Sequence, residues 1–116
     1  LELEDAHELR RRFRSPLPGV PLKAWHGDLA DGVPGHLALW LDPADRQQRR
    51  LHLVAIVAPT DPGAAVAARP PYTAAMRDGL LTVSTEVDDA GRTAAALDAL
   101  SAEAARLARD DAAVAV

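Results

Sequence analysis

HLALWL at residues 36–41 and LHLVAIVA at residues 51–58 are the two stretches that decide the fold. Leucine recurs at alternate positions in both, which is the period of a β-strand that buries one face. The residues between them are polar and include a proline, as expected of a hairpin loop. If Leu41 pairs with Leu51, the leucines of both strands share one face of a sheet, and we expect that face to form the core.

The opposite face of this predicted hairpin, which we call the outer face, carries Trp40, Val54 and Ile56. A solvated face of an antiparallel sheet is normally polar, so an apolar outer face must be covered. We expect a partner protein to cover it, with Trp25 of the preceding strand nearby. Cover by another helix of the same chain is the alternative. The predicted interface residues are therefore Trp25, Trp40, Val54 and Ile56.

The sequence on either side of the hairpin predicts further elements from hydrophobic period and from helix-breaking residues. Before the hairpin they are a helix over 3–14 and a strand over 20–26. After it come a helix that begins near Pro62, a short helical piece over 72–77, a strand over 81–87 and a helix over 92–110. The last helix has an apolar stripe made of Leu97, Leu100, Ala104 and Leu107. The order α-β-β-β-α-β-α predicts an α+β fold. We expect a single domain over residues 1–116, with a mainly antiparallel four-stranded sheet and helices packed on one face.

This order of elements resembles that of type III secretion chaperone-like domains, with one strand fewer. The resemblance lies in the order alone and not in any residue motif. It therefore implies a fold and carries no activity, ligand or partner with it.

Amino-acid composition argues against several kinds of binding and catalytic site and indicates the source and location of the protein. The net charge of −4, from 13 basic and 17 acidic residues, argues against a general binder of polyanions. The absence of cysteine excludes disulfides, thiolate zinc sites and cysteine nucleophiles. A single lysine, no asparagine and abundant alanine and arginine predict a bacterial genome of high GC content. The acidic first residues do not form a signal peptide, and no apolar run is long enough to span a membrane, so we expect a cytoplasmic protein.

Histidine offers the strongest hint of chemistry. His26 and His36 flank the first connector, so a closed hairpin would bring them together near Asp28 or Asp31, as in a site of two histidines and one carboxylate. His52 would lie over 10 Å from His36 at about 3.3 Å per residue, so no third histidine joins them. We therefore expect no metal, no cofactor and no catalytic residue. A small enzyme or metal-dependent protein centred on His26, Asp28 and His36 is the alternative.

Arginine is concentrated in two short runs, near residues 10–14 and 46–50. Folded side by side, the two runs would form a patch able to bind nucleic acid or another polyanion. The residues concerned are Arg10, Arg11, Arg12, Arg14, Arg46, Arg49 and Arg50. Because the net charge is acidic, we expect solvated surface charge, and binding to nucleic acid is the weaker alternative.

No serine stands in a nucleophile elbow, and no glycine motif has the spacing of a phosphate-binding loop. The sequence therefore favours a non-enzymatic interaction or assembly module, a homodimer that pairs its outer faces, over an enzyme. Another protein is the alternative partner for the same surface.

Overall fold

Six strands and two α-helices form the part of the chain that the computed structural model describes, residues 1–13, 20–41, 44, 50–60, 67–88 and 90–109. Their bounds are β1 Glu2–Glu4, α1 Ala6–Phe13, β2 Val20–Asp28, β3 Pro34–Leu41, β4 Leu51–Val57, β5 Thr73–Arg77, β6 Leu80–Val87 and α2 Thr93–Arg109. In these ranges no helix combines the length and the apolar character needed to cross a membrane.

All six strands belong to one antiparallel sheet with the order β1-β2-β3-β4-β6-β5. Leu41 lies opposite Leu51 and His36 lies opposite Ile56, so the predicted register of β3 and β4 is confirmed. Asp78 and Gly79 join β5 to β6 with positive φ angles of 53° and 79°. Two such residues in succession are typical of the tight turns that connect hairpin strands.

The inner face of the sheet, which carries the alternating leucines of β3 and β4, packs against α2. Leu53 of the sheet and Leu100 and Ala104 of the helix have no solvent exposure. The predicted stripe of α2 is confirmed, because Leu107 is also buried and Leu97 packs at the margin of the same cluster. This inner cluster is the larger of the two cores.

The outer face packs against α1, which buries Leu9 to 2% exposure. Asp5 caps this helix, because its Oδ1 accepts hydrogen bonds from the backbone N–H of His7 at 2.9 Å and of Glu8 at 3.2 Å. These bonds, that of Glu8 first, lower the pKa of the Asp5 carboxyl below its ordinary value. The cap therefore fixes where the chain leaves β1 and turns across the sheet.

The α+β class and the antiparallel sheet are confirmed, but the prediction of four strands with helices on one face was wrong. Glu2–Glu4 form a strand, since they pair with the open edge of β2, and the helix begins only after the Asp5 cap. Thr73–Arg77 form a strand and not a short helix, because Ala74 and Met76 alternate toward the inner core. One helix lies on each face, since both faces are apolar. The helix predicted from Pro62 falls partly on residues 61–66, outside the described ranges.

Candidate functional site

The predicted interface residues of the outer face lie beneath α1. Trp40 and Val54 are 2% exposed and Ile56 is 8% exposed, all in one cluster with Leu9. The chain's own helix therefore covers this part of the face, which is the alternative that the sequence left open. Trp25 is placed on the inner face, opposite Leu37, because it alternates with the outward residues of β2.

β5 forms one edge of the sheet and is exposed along its outer side. Arg77 and Leu80 flank the two-residue loop of the β5–β6 hairpin, so their backbone groups hydrogen-bond to each other. Along an antiparallel pair of strands, such hydrogen-bonded pairs recur at every second position. The backbone groups of Thr73, Ala75 and Arg77 therefore face β6. Those of Ala74 and Met76 face away from the sheet, where no strand of the described residues pairs with them.

β1 forms the opposite edge and has a different character. It is three residues long and carries Glu2 and Glu4 on either side of Leu3. Short length and charged side chains are the usual means by which an edge strand avoids pairing with another chain. The β1 edge is therefore protected against pairing with another chain. The β5 edge lacks this protection, because two alanines, a threonine and a methionine precede Arg77.

His26 and His36 lie directly opposite each other across β2 and β3, with ring centroids 6.5 Å apart. The carboxylates beside them come from β1 and not from the predicted aspartates. His36 Nδ1 lies 2.5 Å from Glu4 Oε1, and His26 Nε2 lies 3.8 Å from Glu2 Oε2. Glu2, Glu4 and both histidines therefore share the outer face at one end of the sheet.

The two predicted aspartates do not join the histidines. Asp31 Oδ2 lies 3.8 Å from Arg109 Nη1, and the Arg109 guanidinium also donates to the Asp31 carbonyl oxygen. Among the described residues Asp28 makes no ion pair with either histidine. Within the same residues no three histidine or carboxylate side chains are arranged to hold a metal ion.

Glu4 and His36 belong to a half-buried network with α1. Their side chains are 15% and 22% exposed, and Glu4 Oε2 accepts a hydrogen bond from Arg12 Nη2 at 3.4 Å. The Phe13 ring centroid lies 5.1 Å from that of His36. Glu4 thus orients the His36 ring from one side while Phe13 packs against it.

A cavity of about 260 Å³ opens beside this network, at the end of α1. Its lining residues are Phe13, Pro34, Gly35, His36, Ile56, Val57, Ala58 and Leu80. A Cβ atom at Gly35 would lie 2.6 Å from the Ile56 carbonyl oxygen, so β3 and β4 can approach this closely only with glycine there. His36 contributes the one polar side chain of this lining.

The seven arginines predicted as polyanion contacts have different surroundings. Three of them lie beside aromatic rings or carboxylates. The Arg10 guanidinium lies 5.7 Å from the Trp40 ring centroid, and Arg12 contacts both Glu4 and Phe13. Arg50 Nε lies 3.5 Å from Asp88 Oδ1 and 3.8 Å from Glu86 Oε2. Arg11 is exposed on α1. Arg14, Arg46 and Arg49 lie outside the described residues.

Glu2 and Glu4 are the site residues that the sequence analysis missed. Their alternation with Leu3 is a strand signal, but three residues are too few to outweigh the helical period that follows. Ala74 and Met76 were missed for a similar reason. Their alternation, together with the Asp78-Gly79 turn, could have identified the hairpin.

Comparisons with known proteins gave no match among family models, curated proteins or solved structures. Its function is therefore inferred from the described residues alone.

Proposed function

We propose that this chain is a non-enzymatic assembly module that forms a homodimer by antiparallel pairing of two β5 edges. The observation that carries the proposal is the outward direction of the backbone groups of Ala74 and Met76. A strand with open backbone groups is a template for another strand. The occupant that fits this edge best is a second copy of β5.

The register of such a pair follows from the positions of the open groups. With Ala75 on the two-fold axis, Ala74 of one copy lies opposite Met76 of the other. Each of these pairs exchanges two backbone hydrogen bonds, because both residues direct their N–H and C=O groups outward. The axis generates the second pair from the first, so the contact is isologous and closed.

Side-chain charge favours β5 over β1 for this contact. In the β5 register Arg77 lies opposite Thr73 of the other copy, and no like charges meet. A β1 pair centred on Leu3 would place Glu2 opposite Glu4, and like charges directly opposite each other destabilise a sheet. The two edges therefore have different roles, one that pairs and one that resists pairing.

The proposed dimer is a continuous sheet across the axis, with α1 and α2 of each copy in their observed places. The sequence analysis also favoured a homodimer, but with its contact on the outer face. In this proposal the contact is the β5 edge instead. Another protein that adds a strand to β5 would use the same backbone groups. A cytoplasmic location and a bacterial source remain expectations from the sequence.

Light scattering of the wild type and of Ala75→Glu at tens of micromolar tests the proposal. Ala75 is exposed, so a single charge there costs the monomer little stability, whereas two carboxylates on the axis repel each other. We expect a dimeric wild type, a monomeric Ala75→Glu variant and an unchanged far-UV circular dichroism spectrum. Ala99→Glu, on an exposed position of α2, is the matched control and should remain dimeric. A monomeric wild type, or a dimeric Ala75→Glu variant, would refute the proposal.

A further inference from the structure

The cavity beside His36 has the composition of a site for a small organic molecule. Apart from His36, its lining consists of apolar side chains and the backbone of Gly35. An apolar lining with few, well-placed polar groups is typical of such sites. The volume of about 260 Å³ lies just below the range common for drug-sized ligands, so the occupant must be small.

The Glu4 contact determines which hydrogen bond His36 can offer. A carboxylate oxygen can only accept, so His36 Nδ1–H donates to Glu4 Oε1, 2.5 Å away, and in this tautomer Nε2 carries the lone pair. Arg12 Nη2 donates to the second Glu4 oxygen, Oε2, at 3.4 Å. Within the described part of the chain, the His36 side chain makes no other hydrogen bond. In this tautomer Nε2 is a hydrogen-bond acceptor.

We propose that this cavity binds a small apolar molecule with one hydroxyl group, of the phenol class, whose O–H donates to His36 Nε2. The apolar body packs against Ile56 and Leu80, and an aromatic ring gains a further contact with Phe13. A carboxylate ligand fits less well, because Glu4 already places a negative charge at His36. The proposal does not depend on the homodimer, since β5 contributes no residue to this lining.

The test is a titration of the full chain with p-cresol and with toluene, which differ by the hydroxyl group alone. Binding is followed by the backbone amide shifts of Gly35 and Leu80 in NMR spectra. We expect both compounds to shift these amides, with p-cresol about five- to tenfold tighter, as one hydrogen bond contributes. In His36→Phe the preference for p-cresol should disappear.

Ala58→Leu is a second variant, which keeps the test decisive if His36→Phe does not fold. Ala58 is exposed and lines the cavity, so a larger apolar side chain there fills the site without burying a polar group. This variant should lose binding of both compounds, whereas Ala99→Leu on α2 should bind as the wild type does. Equal affinity of the wild type for both compounds, no shift at low-millimolar concentration, or full binding by Ala58→Leu would overturn the proposal.

Discussion

His36 Nδ1 lies 2.5 Å from Glu4 Oε1, so a side chain of β1 reaches over β2 to a side chain of β3. This contact fastens an edge strand of three residues to the third strand of the sheet. It also explains why β1 forms at all, because three backbone pairs alone give a short strand little stability.

Glu4→Gln should therefore destabilise the fold by about 1–3 kcal/mol, the range for a part-buried hydrogen bond to a charged group. Glu2→Gln is the matched control, since Glu2 is 84% exposed and its closest histidine contact is 3.8 Å. We expect Glu2→Gln to change the free energy of unfolding by less than about 0.5 kcal/mol. Urea unfolding monitored by tryptophan fluorescence measures both, and equal effects would contradict this role of Glu4.

Ile56→Glu tests whether α1 covers the outer face. Ile56 is 8% exposed beneath α1, so Ile56→Glu places a carboxylate in an apolar cluster. We expect a loss of more than about 3 kcal/mol and a chain that is largely unfolded at 37 °C. Ala75→Glu adds the same charge to the outer side of β5 and should fold normally. A stable, folded Ile56→Glu monomer would show that the outer face is free.

Glu103 makes the stability of the fold depend on pH. Its side chain is 6% exposed and accepts hydrogen bonds from Arg106 Nε at 2.8 Å and from the Arg69 backbone N–H at 2.7 Å. The Arg106 guanidinium, and then the Arg69 backbone N–H, hold the pKa of the Glu103 carboxyl below its ordinary value of 4.5. The ionised form thus ties the segment before β5 to α2.

Because the folded state lowers this pKa, the stabilisation is complete above pH 4.5 and is lost as the pH falls through the folded-state value. Glu103→Gln should be about 1–3 kcal/mol less stable than the wild type at pH 7, and the difference should shrink toward pH 3. Urea unfolding at several pH values measures this. A difference that stays constant over that range would show that the charge of Glu103 does not matter.

Most of the sheet could be predicted from the sequence where the alternation is long. The leucines of β3 and β4 fixed both faces and the register, and the stripe of α2 identified the helix that covers the inner face. Two strands could not be predicted in this way. Glu2–Glu4 are too short to show a period, and the alanines of β5 favour a helix when they are judged by propensity alone. Residues 2–4 form a strand because they pair with β2, and residues 73–77 form one because they pair with β6.

The candidate site was predictable only in part, for related reasons. His26 and His36 face each other because the β2–β3 hairpin closes, which the sequence indicated. Glu4 joins them through a strand that the sequence assigned to a helix. The cover of Trp40 depends on the direction in which α1 crosses the sheet, and hydrophobic period carries no information about that direction.

A disulfide across the proposed axis is the most direct test of the dimer. The chain contains no cysteine, so Ala75→Cys introduces a single thiol. In the proposed register the two copies of this position form a non-hydrogen-bonded pair with Cα atoms about 4.5 Å apart, within the range that a disulfide spans. Under mild oxidation we predict a covalent dimer of Ala75→Cys in high yield at micromolar concentration, while Ala99→Cys remains mostly monomeric on a non-reducing gel. An Ala75→Cys protein that cross-links no faster than Ala99→Cys would contradict the pairing of β5 edges.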